Sequence, residues 1–233
     1  MKRVVVEQLL AARAARRSVV LVTELETGDQ ALLFPGSKDG GGLAADVVIA
    51  AREASAAGRS AILDRSDAGR TFLHVFNPPL RLFIVGAVHI AQALVPMAAM
   101  LGYSVTVIDP RRAFASPQRF AGLRVLRDWP DDALAGEDLD ARSAVVTLTH
   151  DPKLDDPALA AALRSDAFYI GCLGSRRTHA KRVERLIAAG FDATGLGRLH
   201  GPVGLDIGAS SAAEIATSVL AQMTQTLRRG GAG

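Results

Sequence analysis

Two arginine pairs stand where this chain has the means to grip an anion. Arg111-Arg112 directly follows Asp109-Pro110, and Arg176-Arg177 lies inside Gly174-Ser175-Arg176-Arg177-Thr178. A guanidinium is a planar fork that holds two oxygens of one phosphate. A Gly-Ser turn that opens a helix adds free backbone N–H groups at the positive end of the helix dipole. Gly174, Ser175, Arg176 and Arg177 therefore read as a phosphate grip. The plainer alternative is a solvated basic face, because Lys181, Arg182 and Arg185 continue the charge. Thr149-His150-Asp151 offers a hydroxyl, an imidazole and a carboxylate, suited to acid-base work or to hydrogen bonding with a heterocycle. A capping turn would use the same three residues without chemistry.

A third candidate is the turn Gly86-Ala87-Val88-His89-Ile90-Ala91, with Asp109 at the end of the apolar run that follows. In a dinucleotide fold such a turn holds a pyrophosphate and the acid takes a ribose hydroxyl. Only the first glycine of G-x-G-x-x-G is present. Val88 fills the second place, where a branched side chain crowds the approach of a phosphate, and Ala91 fills the third. A Rossmann turn that binds nothing is the competing reading. The bend Gly201-Pro202-Val203-Gly204-Leu205-Asp206-Ile207-Gly208 either closes the same crevice or only turns the chain. Cys172, the single cysteine, excludes an internal disulfide and a Cys-rich zinc site and fits a reducing compartment. It reads as a small core residue or as a thiol activated near a helix start. His74, His89, His179 and His200 have no metal-ligand spacing, so no metal site is expected.

These residues need a scaffold to bring them together. The 233-residue chain is 49% hydrophobic and 22% charged but only 5% aromatic, which implies a folded protein with a core of aliphatic residues and alanine. A net charge of +3 is too small for a nucleic-acid or anionic-membrane footprint. Between Leu82 and Ile108 there is no Asp, Glu, Lys or Arg, a length that would permit a membrane span. The period changes twice along this run, however. Leu82 to Val85 is continuous, Ile90, Leu94, Met97 and Leu101 recur at helical spacing, and Val105 and Val107 alternate. A strand, a helix and a second strand, in a sheet covered on both faces, fit better than a span. The early charges at Glu7, Arg13, Arg16 and Arg17 leave no secretory apolar core, so the cytoplasm is expected.

Further strands are predicted over 124–126, 144–148, 167–170 and 200–203, with helices between them. One helix is expected to start with Asp156 as cap and Pro157 in its first turn, and the last to open with the capping box Ser211 to Glu214. Regular alternation argues for a doubly wound parallel sheet. Before it, the pattern predicts a helix over 4–17, a hairpin over 19–25 and 31–34, and a glycine loop over 35–42. A helix over 43–57 and strands over 61–63 and 71–76 complete a small α+β unit. Asn77-Pro78-Pro79 marks the boundary, because neither proline can donate to a ladder. The expected architecture is therefore α/β: an N-terminal α+β domain, 1–78, followed by a Rossmann-like doubly wound parallel sheet, 79–233.

The segments 83–91, 147–151, 169–178 and 201–208, in that order and spacing, closely resemble the XdhC/CoxI family, and Gly40-Gly41-Gly42 extends the likeness into the N-terminal unit. The chain departs from many members in carrying Leu43 to Asp46 after those glycines instead of a cysteine and an acid, and Val88 instead of glycine. Members are accessory proteins of molybdenum hydroxylases such as xanthine dehydrogenase and carbon monoxide dehydrogenase. The resemblance implies a chaperone more than a catalyst: it binds the molybdenum cofactor, as molybdopterin or its dinucleotide form, keeps the terminal sulfur ligand intact and hands the group to a hydroxylase apoenzyme. A cysteine desulfurase and a second copy of the chain are further implied partners. The cofactor is a phosphorylated pterin, and the set expected to bind it is Gly86, His89, Asp109, Arg111, Arg112, Thr149, His150, Asp151, Gly174, Ser175, Arg176 and Arg177. One alternative is an NAD(P)-dependent oxidoreductase in the same crevice, with Arg111 or Arg112 on a 2′-phosphate; Val88 counts against it. Another is a protein-interaction chaperone whose crevice is vestigial.

Overall fold

Along strand β5 (Arg81–Val85), Leu82 and Ile84 join one apolar cluster and Phe83 and Val85 the other, and all four are buried. Side chains alternate across a strand, so a run that is apolar at every position belongs to a sheet with both faces covered. On one side it meets helices α3 (His89–Met100) and α8 (Ala212–Arg229), through Leu94, Ala98, Val219 and Met223 among others. On the other side lie α4 (Pro130–Ala135), α5 (Pro152–Leu163) and α6 (Arg176–Ala188), with Leu134, Leu159, Leu163 and Leu186 inward. The charge-free run is thus β5, α3 and strand β6 (Ser104–Ile108). No helix among the described residues is long and apolar enough to cross a membrane.

The computed structural model describes residues 2–66, 69–111, 113–114 and 119–229. The chain divides into two units, Met1–Pro78 and Pro79–Gly233. In the second, strands β5, β6, β7 (Arg124–Leu126), β8 (Ser143–Thr147), β9 (Tyr169–Cys172) and β10 (Leu199–His200) form one parallel sheet in the order β10-β9-β8-β5-β6-β7. That is the Rossmann order, and it reverses between β5 and β8. The short helix α7 (Ala193–Leu196) precedes β10.

Local chemistry explains the helix ends. Glu214 accepts from Ser210 N and Ser211 N while Ser211 Oγ accepts from Glu214 N, closing the expected capping box at α8. Helix α5 corrects the sequence reading: its cap is Asp151, whose carboxylate accepts from Lys153 N, and Pro152 takes the first helical position. Asp156 and Pro157 lie inside the helix. The reason is that Asp151-Pro152 is an equally good Asp-Pro start one turn and more upstream, and a proline inside the helix removes only one N–H bond.

The first unit is an antiparallel sheet in the order β2-β1-β4-β3, made by β1 (Val19–Glu24), β2 (Gln30–Leu33), β3 (Ala61–Arg65) and β4 (Gly69–Phe76). Helix α1 (Arg3–Ala14) packs Leu9 and Ala12 on Val19, and α2 (Ala45–Ala57) packs Val47 and Ala51 on Val20, Val22 and Leu73. Asp67, in the polar turn that the sequence predicts between β3 and β4, lies outside the described residues. The glycine loop is held by Asp39, whose carboxylate accepts from Gly41 N.

Gly86 ends β5 at φ +112°, and a Cβ there would lie 2.7 Å from Thr149 Cγ2. Gly102 has φ +82° but open space around it. Gly86→Ala should therefore cost about 1–3 kcal/mol in backbone strain alone, plus the clash, and lower the melting temperature by several degrees. Gly102→Ala carries only the backbone cost. Thermal unfolding of the two variants followed by circular dichroism should show the larger loss for Gly86→Ala; equal losses would mean that the contact with Thr149 is slack.

Candidate functional site

The described residues of the expected set lie on the segments that follow the carboxyl ends of β5, β6, β8 and β9, in the connecting loops or at the first turn of the next helix, on the edge where open α/β sheets bind their ligands. The residues do not all face the same space. Gly86 lets the β5 turn lie against Thr149 of the β8 turn, and so brings together the two loops that flank the reversal in strand order. His89 begins α3 and is exposed.

Asp109 is 0% exposed. Its Oδ2 accepts from Ala87 N at 2.9 Å and Arg111 Nη2 at 2.8 Å, and its Oδ1 from Arg111 N and Nε at 3.0 and 2.9 Å. Burial pushes this carboxyl up, but the bonds from Arg111 and Ala87 outweigh it and hold it below the ordinary range. The same pairing raises Arg111, whose guanidinium also lies 4.3 Å over the Phe114 ring. In this structure both oxygens of Asp109 pin the β5 turn and Arg111. Arg112 lies outside the described residues.

The capping role foreseen for Thr149, His150 and Asp151 exists. Thr149 Oγ1 accepts from Asp151 N, and Asp151 caps α5. The hydroxyl also donates to Asp155 Oδ1 at 2.6 Å. His150 sits at φ +62°, a left-handed conformation that non-glycine residues rarely adopt, and its side chain is exposed.

Helix α6 supplies the cations. Ser175 is its cap, accepting from Thr178 N at 3.1 Å. The other N–H groups of the first turn have no partner within the helix. A cleft of about 240 Å³ lies between α5 and α6, lined by His150, Pro152, Asp155, Arg177, Thr178, Lys181, Arg182 and Arg185. Of the described members of the expected set, His150 and Arg177 line it. Arg176 is 90% exposed and lies 4.0 Å from Asp206 of the glycine-rich bend.

Arg182 overturns the reading of Lys181, Arg182 and Arg185 as a solvated face, because it is 1% exposed. Its Nη2 donates to Leu173 O and lies 3.6 Å from Asp155 Oδ2, itself in a residue 1% exposed. Burial raises the Asp155 carboxyl, with the Thr149 hydroxyl and Arg182 opposing it. Arg185 pairs with Asp156 through Nε and through Nη2 at 3.0 Å. Asp155, Thr178, Lys181, Arg182 and Arg185 were missed as site residues. The signal was the spacing 178, 181, 182 and 185, which puts four polar side chains on one helix face.

Cys172 closes β9 and is 0% exposed, with Sγ 3.7 Å from His179 Nδ1. Burial pushes its thiol up to about 11, with Arg182 opposing in part. Burial likewise lowers His179. Among the described residues no group of three or more His, Cys, Asp or Glu could hold a metal ion.

Comparison with known proteins places this geometry. The family model described as the XdhC Rossmann domain matches residues 82–223. A molybdenum cofactor insertion chaperone, PaoD, from Escherichia coli K12 is 34% identical over 148 residues, 64% of this chain and 40% of that protein. A protein of Bacillus subtilis 168 named as a probable xanthine dehydrogenase subunit is 31% identical over 159 residues, 68% of this chain and 46% of that protein. The chain thus spans less than half the length of these curated relatives. The crystal structure of a xanthine dehydrogenase from Bacillus halodurans superposes with a TM-score of 0.71 at 27% identity, over 99% of this chain and 68% of that one.

The burial of Cys172 carries a prediction. At pH 7–8 the folded protein should resist iodoacetamide, and the thiol should label fully once the chain is unfolded in guanidinium. Rapid labelling of the folded protein, read by intact mass, would contradict the buried placement.

Proposed function

Because the chain belongs to the XdhC Rossmann-domain family, we propose that it is an accessory protein that takes the molybdenum cofactor as cargo and protects, matures or inserts it into a molybdenum hydroxylase of the xanthine dehydrogenase or carbon monoxide dehydrogenase type. The observation that carries this reading is the cationic cleft at the head of α6, where Arg177, Lys181, Arg182 and Arg185 line one small space. The donors there are guanidinium and ammonium groups, which suit a phosphate oxygen and cannot ligate a bare metal. The fit is therefore to the phosphorylated end of the pterin.

In this reading Arg177 and the first turn of α6 hold the phosphate, with the Gly174 and Ser175 backbone beside them and Arg176 at the rim. His150 stands at the mouth of the cleft, where its ring can hydrogen-bond the polar edge of a heterocycle. Asp109 acts at one remove, by fixing Arg111. A relative named as a cofactor insertion chaperone supports the accessory role. The apoenzyme that receives the cargo is the partner such a role requires.

The test is metal analysis and mass spectrometry of the protein isolated from a host that makes the cofactor, alongside NADH and NADPH titration. Molybdenum and molybdopterin should co-purify with the wild type and fall severalfold in Arg176→Ala/Arg177→Ala. Cofactor retained unchanged by that variant would refute the residue assignment. A saturable nicotinamide signal with no pterin would favour the oxidoreductase alternative instead.

A further inference from the structure

Arg182 is built into the fold in a way that its structural contacts do not account for. One nitrogen, Nη2, ties α6 to the β9 turn through Leu173 O. Nε and Nη1 are buried and have no hydrogen-bond partner within the protein, and neither does Asp155 Oδ2 opposite. Buried polar atoms are nearly always paired, and an unpaired donor on a permanent cation is among the costliest to leave. If Arg182 served only to brace the turn, a residue with a single donor would do so without two orphaned groups. A Cβ added at Gly174, the residue after Leu173, would come within 3.8 Å of Nη1 and 3.1 Å of Thr178 Cγ2, so a side chain there would crowd the arginine.

The charge around this point is unbalanced. Arg177, Lys181, Arg182 and Arg185 line the cleft together with one carboxylate, Asp155. With Asp156, the partner of Arg185, also counted, a formal excess of two positive charges remains. At about 240 Å³ the cleft is smaller than the roughly 300–1,000 Å³ typical of sites that enclose a whole small molecule. It has room to enclose a head group.

We propose that this cleft is a seat for a terminal phosphomonoester, a dianion at neutral pH, gripped by Arg182 from below and by Arg177 and Lys181 from the rim. A phosphodiester carries one charge and a substituent on each side, so it matches neither the excess charge nor the one-sided opening. The place of the seat in cofactor handling rests on the function proposed above, where it selects the phosphomonoester form of the pterin over the dinucleotide form, whose pyrophosphate spreads two charges over two esterified phosphates and offers no terminal dianion. Its existence does not rest on that reading.

The experiment is isothermal titration calorimetry of the full chain with inorganic phosphate, phenyl phosphate and diphenyl phosphate. Phosphate and phenyl phosphate should bind saturably with one site, and diphenyl phosphate should bind about tenfold or more weakly. Arg182→Gln should lose about tenfold or more in affinity for phenyl phosphate, while Arg3→Ala, on an exposed side chain of the first unit, should leave it unchanged. Since Arg182→Gln leaves Asp155 unpaired and can unfold the protein, Arg177→Ala/Lys181→Ala, which removes two exposed side chains, provides the second measurement and should weaken binding by a similar factor. No saturable phosphate binding, equal affinity for the diester, or full affinity in the folded variants would overturn the proposal. Phosphate binding that is intact in a protein that never co-purifies with a pterin would uphold the seat and remove the cargo assigned to it.

Discussion

Asp155 and Arg182 face each other at 3.6 Å with 1% of each residue exposed. Taking two charges out of water costs several kcal/mol per ion, and removing one member of such a pair typically costs about 3–5 kcal/mol because the other is left uncompensated. The carboxyl edge between β8 and β9 is arranged around that constraint. Asp155 receives the Thr149 hydroxyl, which fixes the β8 turn, and Gly86 packs that turn against the end of β5. Arg182 donates to Leu173 O, which fixes the β9 turn and the head of α6. Three loops from three strands are thereby keyed to one ion pair, and the geometry of the cleft is set from beneath.

Arg111 and the arginines of α6 have different fates for an electrostatic reason. At β6, Asp109 is saturated by Arg111 and by the amide of Ala87, so charge and hydrogen bonds close on themselves. A turn whose amide is already spent on an aspartate has little left to offer a pyrophosphate, and Val88 narrows its approach further. At α6, cations outnumber carboxylates, and Arg182 has donors without partners. The uncompensated positive charge of the edge lies at the fourth strand-helix turn instead of the first, where dinucleotide folds keep their phosphate site.

The sequence made the scaffold legible because its signals were local. The two changes of period between Leu82 and Ile108 mark β5, α3 and β6, and Ser211 with Glu214 marks the start of α8. The start of α5 was misplaced because Asp151-Pro152 and Asp156-Pro157 are chemically equivalent openings, and which one caps the helix is decided by the turn after β8. Site residues were legible only as far as loops went. Gly174 to Arg177 and Thr149 to Asp151 stand out by composition, but Arg182 looked like one charge among several on a polar helix. Its burial arises from Asp155, distant in sequence on α5, and no local pattern announces it. Asp109 stands out by position, but its bonds to Arg111 and Ala87 are set by tertiary closure.

The order of strands in the second unit also governs how the chain reaches its fold. β5 lies between β6 and β8, and its register with β8, Leu82 against Ala144 and Val85 against Thr147, joins residues far apart in the chain. During synthesis the charge-free run emerges long before β8 exists to cover that edge. Until then its aliphatic residues present an unpaired strand to water and to other nascent chains, the condition under which parallel sheets fold slowly and aggregate. The same strand that is covered on both faces in the finished protein is the one in its sheet whose second edge waits longest along the chain for a partner.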